Sequence, residues 1–287
     1  MAVILDGESL AKALKKDIAA RISELKKKGI TPTLATILVG DKPASKTYVK
    51  LKERDCQEVG IRSKTYELPA KASEQEVLEL INTLNEDKEV HGILVQLPLP
   101  PSINATRVVE GIAPEKDVDG LHPFNVGKLW LSAYDFDSDL LPCTPSGIVK
   151  LLDYYKIDPA GKNVVIINRS NLVGKPLSKL FLDRDATVTI CHSKTKNLKE
   201  CAKNADILVV AVGRRPTFVV TEDMVKEGAV VVDVGISYVG GEVCGDIDFE
   251  KIKKKVAYVT PCPGGVGPMT RVMLLYNVLK AARGQIK

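Results

Sequence analysis

Aromatic side chains are scarce, with five Phe, eight Tyr and one Trp in 287 residues. The net charge of +5 is spread along mixed Lys/Glu segments and gathers in no patch. So few flat rings for base stacking and so little focused charge argue against nucleic acid as a partner, whereas a small polyanion needs only a few well-placed cations. No apolar run approaches the ~18 residues that span a bilayer. The opening MAVILDGESL also lacks a basic segment followed by an apolar one. The expectation is a cytoplasmic protein with no membrane association. The six cysteines (56, 143, 191, 201, 244, 262) include no C-x-x-C pair, and His91, His122 and His192 stand at no metal-ligand spacing from them. Reduced, mostly buried thiols and no metal site follow.

What is present is a regular alternation of helical and strand patterns, the mark of parallel sheets with crossover helices. A 45% hydrophobic and 27% charged composition leaves room for two cored domains. SLAKALKKDIAARISELKKKG sets Leu10, Leu14, Ile18, Ile22 and Leu25 on one face and closes at Gly29. TLATILVG and RSKTYEL read as strands around a second helix that ends at Gly60, and Ser73 with Glu76 forms a capping box before SEQEVLELINTLNED. GILVQLPLP is a short buried strand stopped by Pro98, leaving Gln96 at a carboxyl end, where open α/β sheets place ligands. Residues 111–143 lose periodicity and read as one long connection. CTPSGIVKLLDYY restarts a helix with Thr144 as its N-cap.

A second series then runs NVVIIN, PLSKLFLDR, ATVTICHS, NLKECAKNA, DILVVAVG, TEDMVKEG, AVVVDVGI and AYVTPCPGG, in the manner of a nucleotide-binding doubly wound sheet. The turn NRSNLVGKP lacks the three glycines of G-x-G-x-x-G, but it keeps a strand end, Ser170, Gly174 and a helix whose N–H groups can face phosphates. After ATVTICHS comes SKTK, with no acid for a ribose 2′-hydroxyl. Arg169 and Ser193 suit a 2′-phosphate instead, which favours NADP over NAD.

The stretch SKTYVKLKERDCQEVGI holds an oddity. At roughly 100° per residue Tyr48, Val59, Lys52, Cys56 and Val49 share one arc, with Lys52 at its centre and most other charges on the far side. A lysine there either snorkels to water or loses its charge through desolvation and becomes a proton carrier at neutral pH. Tyr48 lies one turn away, Gln96 can orient a polar substrate, and KDVDG supplies Asp117 and Asp119, one of which can bind an N–H-rich ring while the other caps a turn.

SKTYVKLK, ILVQLPLP, PEKDVDGLHPFNVGKL, PCTPSGIV, RSNLVGKP, HSKT, ADILVVAVG, DVGI and TPCPGGVGPMTRVMLL occur in order over nearly the whole chain. Together they resemble the bifunctional methylenetetrahydrofolate dehydrogenase/cyclohydrolases. That resemblance implies an N-terminal α/β substrate domain (residues 1–120 plus 270–287) that binds folate, a Rossmann-like NADP domain (121–269), a cleft between them, and a homodimer. It implies Lys52 as the cyclohydrolase lysine, Tyr48 stacking on folate, Gln96 tuning the lysine, and Asp119 anchoring the pterin. Pro263, Gly264, Gly265 and Gly267 would border the folate; Asn168, Arg169, Ser170, Ser193, Ile236 and Thr144 would contact NADP. Two residues depart from the pattern. Asn168 stands where glycine is usual, with the expectation that its tolerance of unusual backbone angles preserves the turn; Cys262 stands where valine is usual. Rival readings are a shikimate-dehydrogenase-like NADP enzyme and a non-catalytic NADP-binding sensor.

Overall fold

The computed structural model describes residues 2–285. It resolves into two compact units, Met1–Lys12 with Thr144–Thr270, and Ala13–Cys143 with Arg271–Lys287.

The first unit is built on β1 (Val3–Ile4), β5 (Asn163–Ile167), β6 (Thr187–Cys191), β7 (Ile207–Val210), β8 (Val230–Asp233) and β11 (Tyr258–Val259). These form one parallel sheet in the order β1-β11-β8-β7-β5-β6. The central strands are unbroken apolar runs because a parallel sheet is covered on both faces; Val164–Ile167 and Ile207–Val210 are buried throughout. The chain leaves β5 for β6 on one side and returns to β7 on the other, so the strand order reverses at β5, the switch point where ligands lie in such folds. Helices α6 (Cys143–Tyr154), α7 (Gly174–Leu182), α8 (Leu198–Lys203) and α9 (Phe249–Ile252) complete most of the series. TEDMVKEG yields only a single 3-10 turn, Glu222–Met224. A hairpin absent from the sequence reading, β9 (Ser237–Val239) and β10 (Glu242–Cys244), turns on Gly240 and Gly241, both at positive φ as a tight hairpin turn requires.

The second unit carries β2 (Thr33–Val39), β3 (Arg62–Leu68) and β4 (Gly92–Val95) in a parallel sheet ordered β3-β2-β4. Its helices are α2 (Pro43–Val59), α3 (Glu74–Glu86), α4 (Ala105–Glu110) and α5 (Pro123–Trp130), and it shares α1 (Gly7–Lys27) and α10 (Val266–Gly284) with the first unit along the chain. The capping box forms as read, with Ser73 Oγ accepting from Glu76 N–H and Glu76 accepting from Ser73 N–H. Helix α2 ends at Gly60 in the left-handed region, φ 86°. Among the described residues no helix is long and apolar enough to cross a membrane.

The units differ from the expected domains in two places, while the expected division at 269/270 lies within one residue of that observed. Residues 121–143 pack with the second unit: Asn125 Nδ2 donates to Asp117, and Lys280 on α10 donates to the Phe136 and Asp139 carbonyls. This stretch is also no bare connection. It holds α5, capped by His122, whose eight residues are too few to display a helical period. At the other end Val3 and Ile4 pair with Tyr258 and Val259, and the chain up to Lys12 groups with the first unit. Helix α6 starts at Cys143, which puts Thr144 inside its first turn and not at its cap.

Candidate active site

Helix α2 buries Val49, Cys56 and Val59, the face on which Lys52 was placed. The Lys52 amine donates to Gln96 Oε1 at 3.0 Å, and Gln96 Nε2 donates to the Leu97 carbonyl at 2.7 Å. That second bond fixes which end of the amide meets the lysine. Gln96 lies one residue beyond β4, its N–H held by the Ile37 carbonyl of β2. Burial pushes the Lys52 ammonium below the ordinary lysine value, against the opposing charges of Asp119, Cys143 and Cys56. Of these, burial pushes the Cys56 thiol up to about 12 and Cys143 well above its usual value. Both thiols are therefore uncharged at neutral pH, leaving Asp119 as the one real opponent. Burial raises the Asp119 carboxyl too, with the Lys52 charge pulling it back.

The two acids of KDVDG divide their work. Asp117 is buried and structural: it accepts from His122 N–H at 2.8 Å and Asn125 Nδ2 at 2.9 Å and bridges to Ile93 at the edge of the small sheet. Asp119 faces Lys52 and Cys143. Three participants escaped the sequence reading. Lys116 donates to the Leu84, Asn85 and Asp87 carbonyls and so closes the C-terminus of α3. Cys143 Sγ, in the electrostatic surroundings of Asp119, donates to the Val118 carbonyl at 3.4 Å. Asn277, buried on α10, donates to the Val118 and Leu141 carbonyls, both at 2.8 Å, and stitches together the segments on either side of Asp119. A polar residue inside the apolar repeat of the last helix was the available signal. Asp55, read as part of a charged outer face, is also fully buried and takes Lys15 Nζ and Arg271 Nε at 2.6 Å each.

The first unit gathers a different set. Ile167 and Cys191 are paired in register, so Arg169 and Ser193 each lie two residues past the ends of adjacent strands, both exposed. No acid follows β6. Ser170 Oγ accepts from Val173 N–H at 3.1 Å, which leaves its own proton to donate outward. A cationic and hydroxyl-rich pair of strand ends at a switch point fits a 2′-phosphorylated dinucleotide. The Gly174 N–H, however, is occupied by Asn168 Oδ1 at 3.0 Å and the Lys175 N–H by the Ser170 carbonyl, so these two do not face a phosphate as the sequence suggested. Nor does Asn168 adopt a positive φ; its side chain, not its backbone tolerance, shapes the turn. Gly213, at φ 64°, packs against the Ile236 carbonyl, bringing the exits of β7 and β8 together. Thr144 Oγ1 and Thr270 Oγ1 lie 2.9 Å apart. Gly264 is at φ 102°, and the Gly265 carbonyl is so close to Gly7 that a Cβ there would lie 1.8 Å from it. Thus Lys52, Gln96 and Asp119 converge in one unit, with Tyr48 one helical turn from Lys52. Pro263 to Gly267 and the residues read for the dinucleotide belong to the other. No cluster of His, Cys, Asp and Glu able to hold a metal occurs among the described residues.

Comparison with known proteins supplies the family. The model described as tetrahydrofolate dehydrogenase/cyclohydrolase, catalytic domain, matches residues 5–119, and that of the NAD(P)-binding domain matches 142–286. The chain is 56% identical over 280 residues to the bifunctional protein FolD of Sulfurihydrogenibium sp., covering 97% of this chain and 96% of the relative. Among solved structures, the bifunctional FolD of Campylobacter jejuni superposes with a TM-score of 0.95 at 49% identity and full coverage of both chains. The Trypanosoma brucei dehydrogenase-cyclohydrolase, complexed with NADP cofactor and inhibitor, gives 0.93 at 37% identity, covering 99% and 98%. A shikimate dehydrogenase shares the fold alone, with a TM-score of 0.52 at 12% identity. The chain belongs to the tetrahydrofolate dehydrogenase/cyclohydrolase family.

Proposed function

We infer that the chain is a bifunctional enzyme of one-carbon metabolism. It oxidises 5,10-methylenetetrahydrofolate to the 5,10-methenyl form with NADP, then hydrolyses that product to 10-formyltetrahydrofolate. The observation that carries the reading is the buried Lys52 amine, held by Gln96 and facing Asp119. When bound, NADP⁺ supplies the acceptor for the hydride that leaves the methylene carbon, and the folate becomes a resonance-stabilised cation. That step asks the protein for alignment and no base. Arg169 and Ser193 would hold the 2′-phosphate; Asn168, Ser170, Ile236 and Thr144 would line the rest of the cofactor's path.

Hydrolysis does require proton movement. A neutral Lys52 takes a proton from the attacking water and returns it to the ring nitrogen as the ring opens. Gln96 accepts one N–H of the amine and so aims its lone pair, without adding a charge that would keep the amine protonated. The cationic folate disfavours an ammonium beside it, so substrate charge and burial act in the same direction. Asp119 takes N–H groups of the pterin, Tyr48 stacks on the ring system, and Pro263, Gly264, Gly265 and Gly267 border it. A homodimer in the cytoplasm completes the reading, and light scattering checks the assembly.

The test supplies methylenetetrahydrofolate and NADP⁺ and follows NADPH and methenyl absorbance in wild type and Lys52→Met. Wild type should pass the methenyl species on; the variant should accumulate it while still making NADPH. Unchanged hydrolysis in the variant removes Lys52 from the mechanism. Nucleotide binding with no folate turnover in wild type supports the sensor reading instead.

A further inference from the structure

The switch point of the larger sheet is bridged by one side chain. Asn168 is the first residue past β5; its Oδ1 accepts from Ser170 N–H at 2.7 Å and Gly174 N–H at 3.0 Å, while its Nδ2 donates to the Ala211 carbonyl at the exit of β7. The contact with Ser170 is the two-residue Asx turn that asparagine favours. The contact with Gly174 solves a local problem: the residue preceding α7 is Val173, which has no side-chain acceptor to cap the helix. Asn168 supplies the missing cap from six residues upstream. Gly174 permits this approach because a Cβ there would lie 2.1 Å from the Asn168 carbonyl oxygen. The same carboxamide thus closes the loop on itself, caps the helix and ties both to the neighbouring strand.

We propose that Asn168 is a positioning residue for the cofactor, holding loop 168–174 in its binding form before the dinucleotide arrives. The inference rests on the reading that NADP lies over these strand ends. A glycine at 168 would leave the loop to be ordered by the ligand, and a loop ordered on binding costs affinity. Fixed in advance, it presents the Arg169 guanidinium and the free Ser170 proton outward, with Ser170 Oγ already anchored by Val173 N–H. The phosphates then meet side chains here, since the Ser170 and Gly174 N–H groups are spent on Asn168.

Asn168→Gly and Asn168→Ser in the full chain test this, read by amide exchange of segment 168–175 without ligand and by steady-state kinetics against NADP⁺. The glycine variant should exchange faster across that segment, and its KM for NADP⁺ should rise about tenfold, the effect appearing in KM and not in kcat. Serine can form only the short turn to Ser170 N–H and cannot reach Ala211, so it should fall between the two. A glycine variant that matches wild type in exchange, or binds NADP⁺ as tightly, overturns the proposal while leaving the site in place. If NADP⁺ added to wild type protects neither 168–175 nor 192–196, the site reading fails and the proposal with it.

Discussion

The residues proposed for proton movement and those proposed to grip the 2′-phosphate are exposed to different degrees. In the unit that carries Lys52, Asp55 and Cys143 are buried and Lys52 and Asp119 half-buried, held by neighbours on α1 and α10 and by Gln96 just past β4. In the other, Arg169 and Ser193, assigned to the cofactor's 2′-phosphate, are exposed side chains at strand ends. The contrast follows from the chemistry proposed for each. Moving protons at neutral pH needs groups driven off their ordinary pKa values, and burial does that. Aligning a hydride donor with its acceptor needs a fixed surface that matches phosphate and ring, and parallel strand ends provide it.

The sharpest way to break this contrast is the lysine itself. Removal of a positioned proton carrier typically costs about 10²–10⁴-fold in rate, and Lys52→Met should lose that much cyclohydrolase activity while the dehydrogenase persists. Equal losses in both would mean that the two units do not divide the chemistry.

Next in size is Asp55. It is fully buried between Lys15 and Arg271, and removing one partner of such a network strands the others. Asp55→Ala should destabilise the chain by roughly 3–5 kcal/mol in urea unfolding. A loss under about 1 kcal/mol would show that the charges are solvated and that this unit is wetter than argued.

The unit that carries Arg169 buries two acids, Asp233 and Asp246, and the first bears on stability. Burial, with the nearby Asp246 charge, pushes the Asp233 carboxyl up to about 7, even though it accepts the Asp246 N–H. The folded state therefore holds this proton more tightly than the unfolded chain, where the value is about 3.9. The resulting stabilisation is complete below the unfolded value and is lost as pH rises through about 7. At about 1.4 kcal/mol per unit this amounts to a few kcal/mol at most. Urea midpoints between pH 5 and 8 should fall in wild type and flatten in Asp233→Asn; parallel curves would refute the assignment.

Much of this was legible in the residues. The buried arc of α2 placed Lys52, the strand end placed Gln96, and the register-free pattern of β5 and β6 put Arg169 beside Ser193. What escaped depends on distant chain. Asp55 looks like a surface charge until Arg271, more than two hundred residues away, is brought to it. Val3–Ile4 is too short for a pattern and is a strand only because β11 pairs with it. Asn168 was read through its backbone, and its side chain proved to matter because Ala211 and Gly174 come within reach only in the folded sheet.

A gentler probe than deletion tests whether the amine, and not the shape around it, sets the proton chemistry. Gln96 accepts from Lys52 at 3.0 Å without contributing charge. Gln96→Glu keeps the length and the acceptor but puts a carboxylate against the amine, which favours the ammonium and raises its pKa by about 1–3 units. Cyclohydrolase activity needs the neutral amine, so its rise with pH should move to higher pH by about that amount. The NADP⁺-dependent step, which uses no protein base, should keep its pH profile. A cyclohydrolase profile that stays in place would mean that Lys52 is already charged in the working enzyme, and the distinction between a desolvated unit and a solvated one would no longer explain which reaction occurs where.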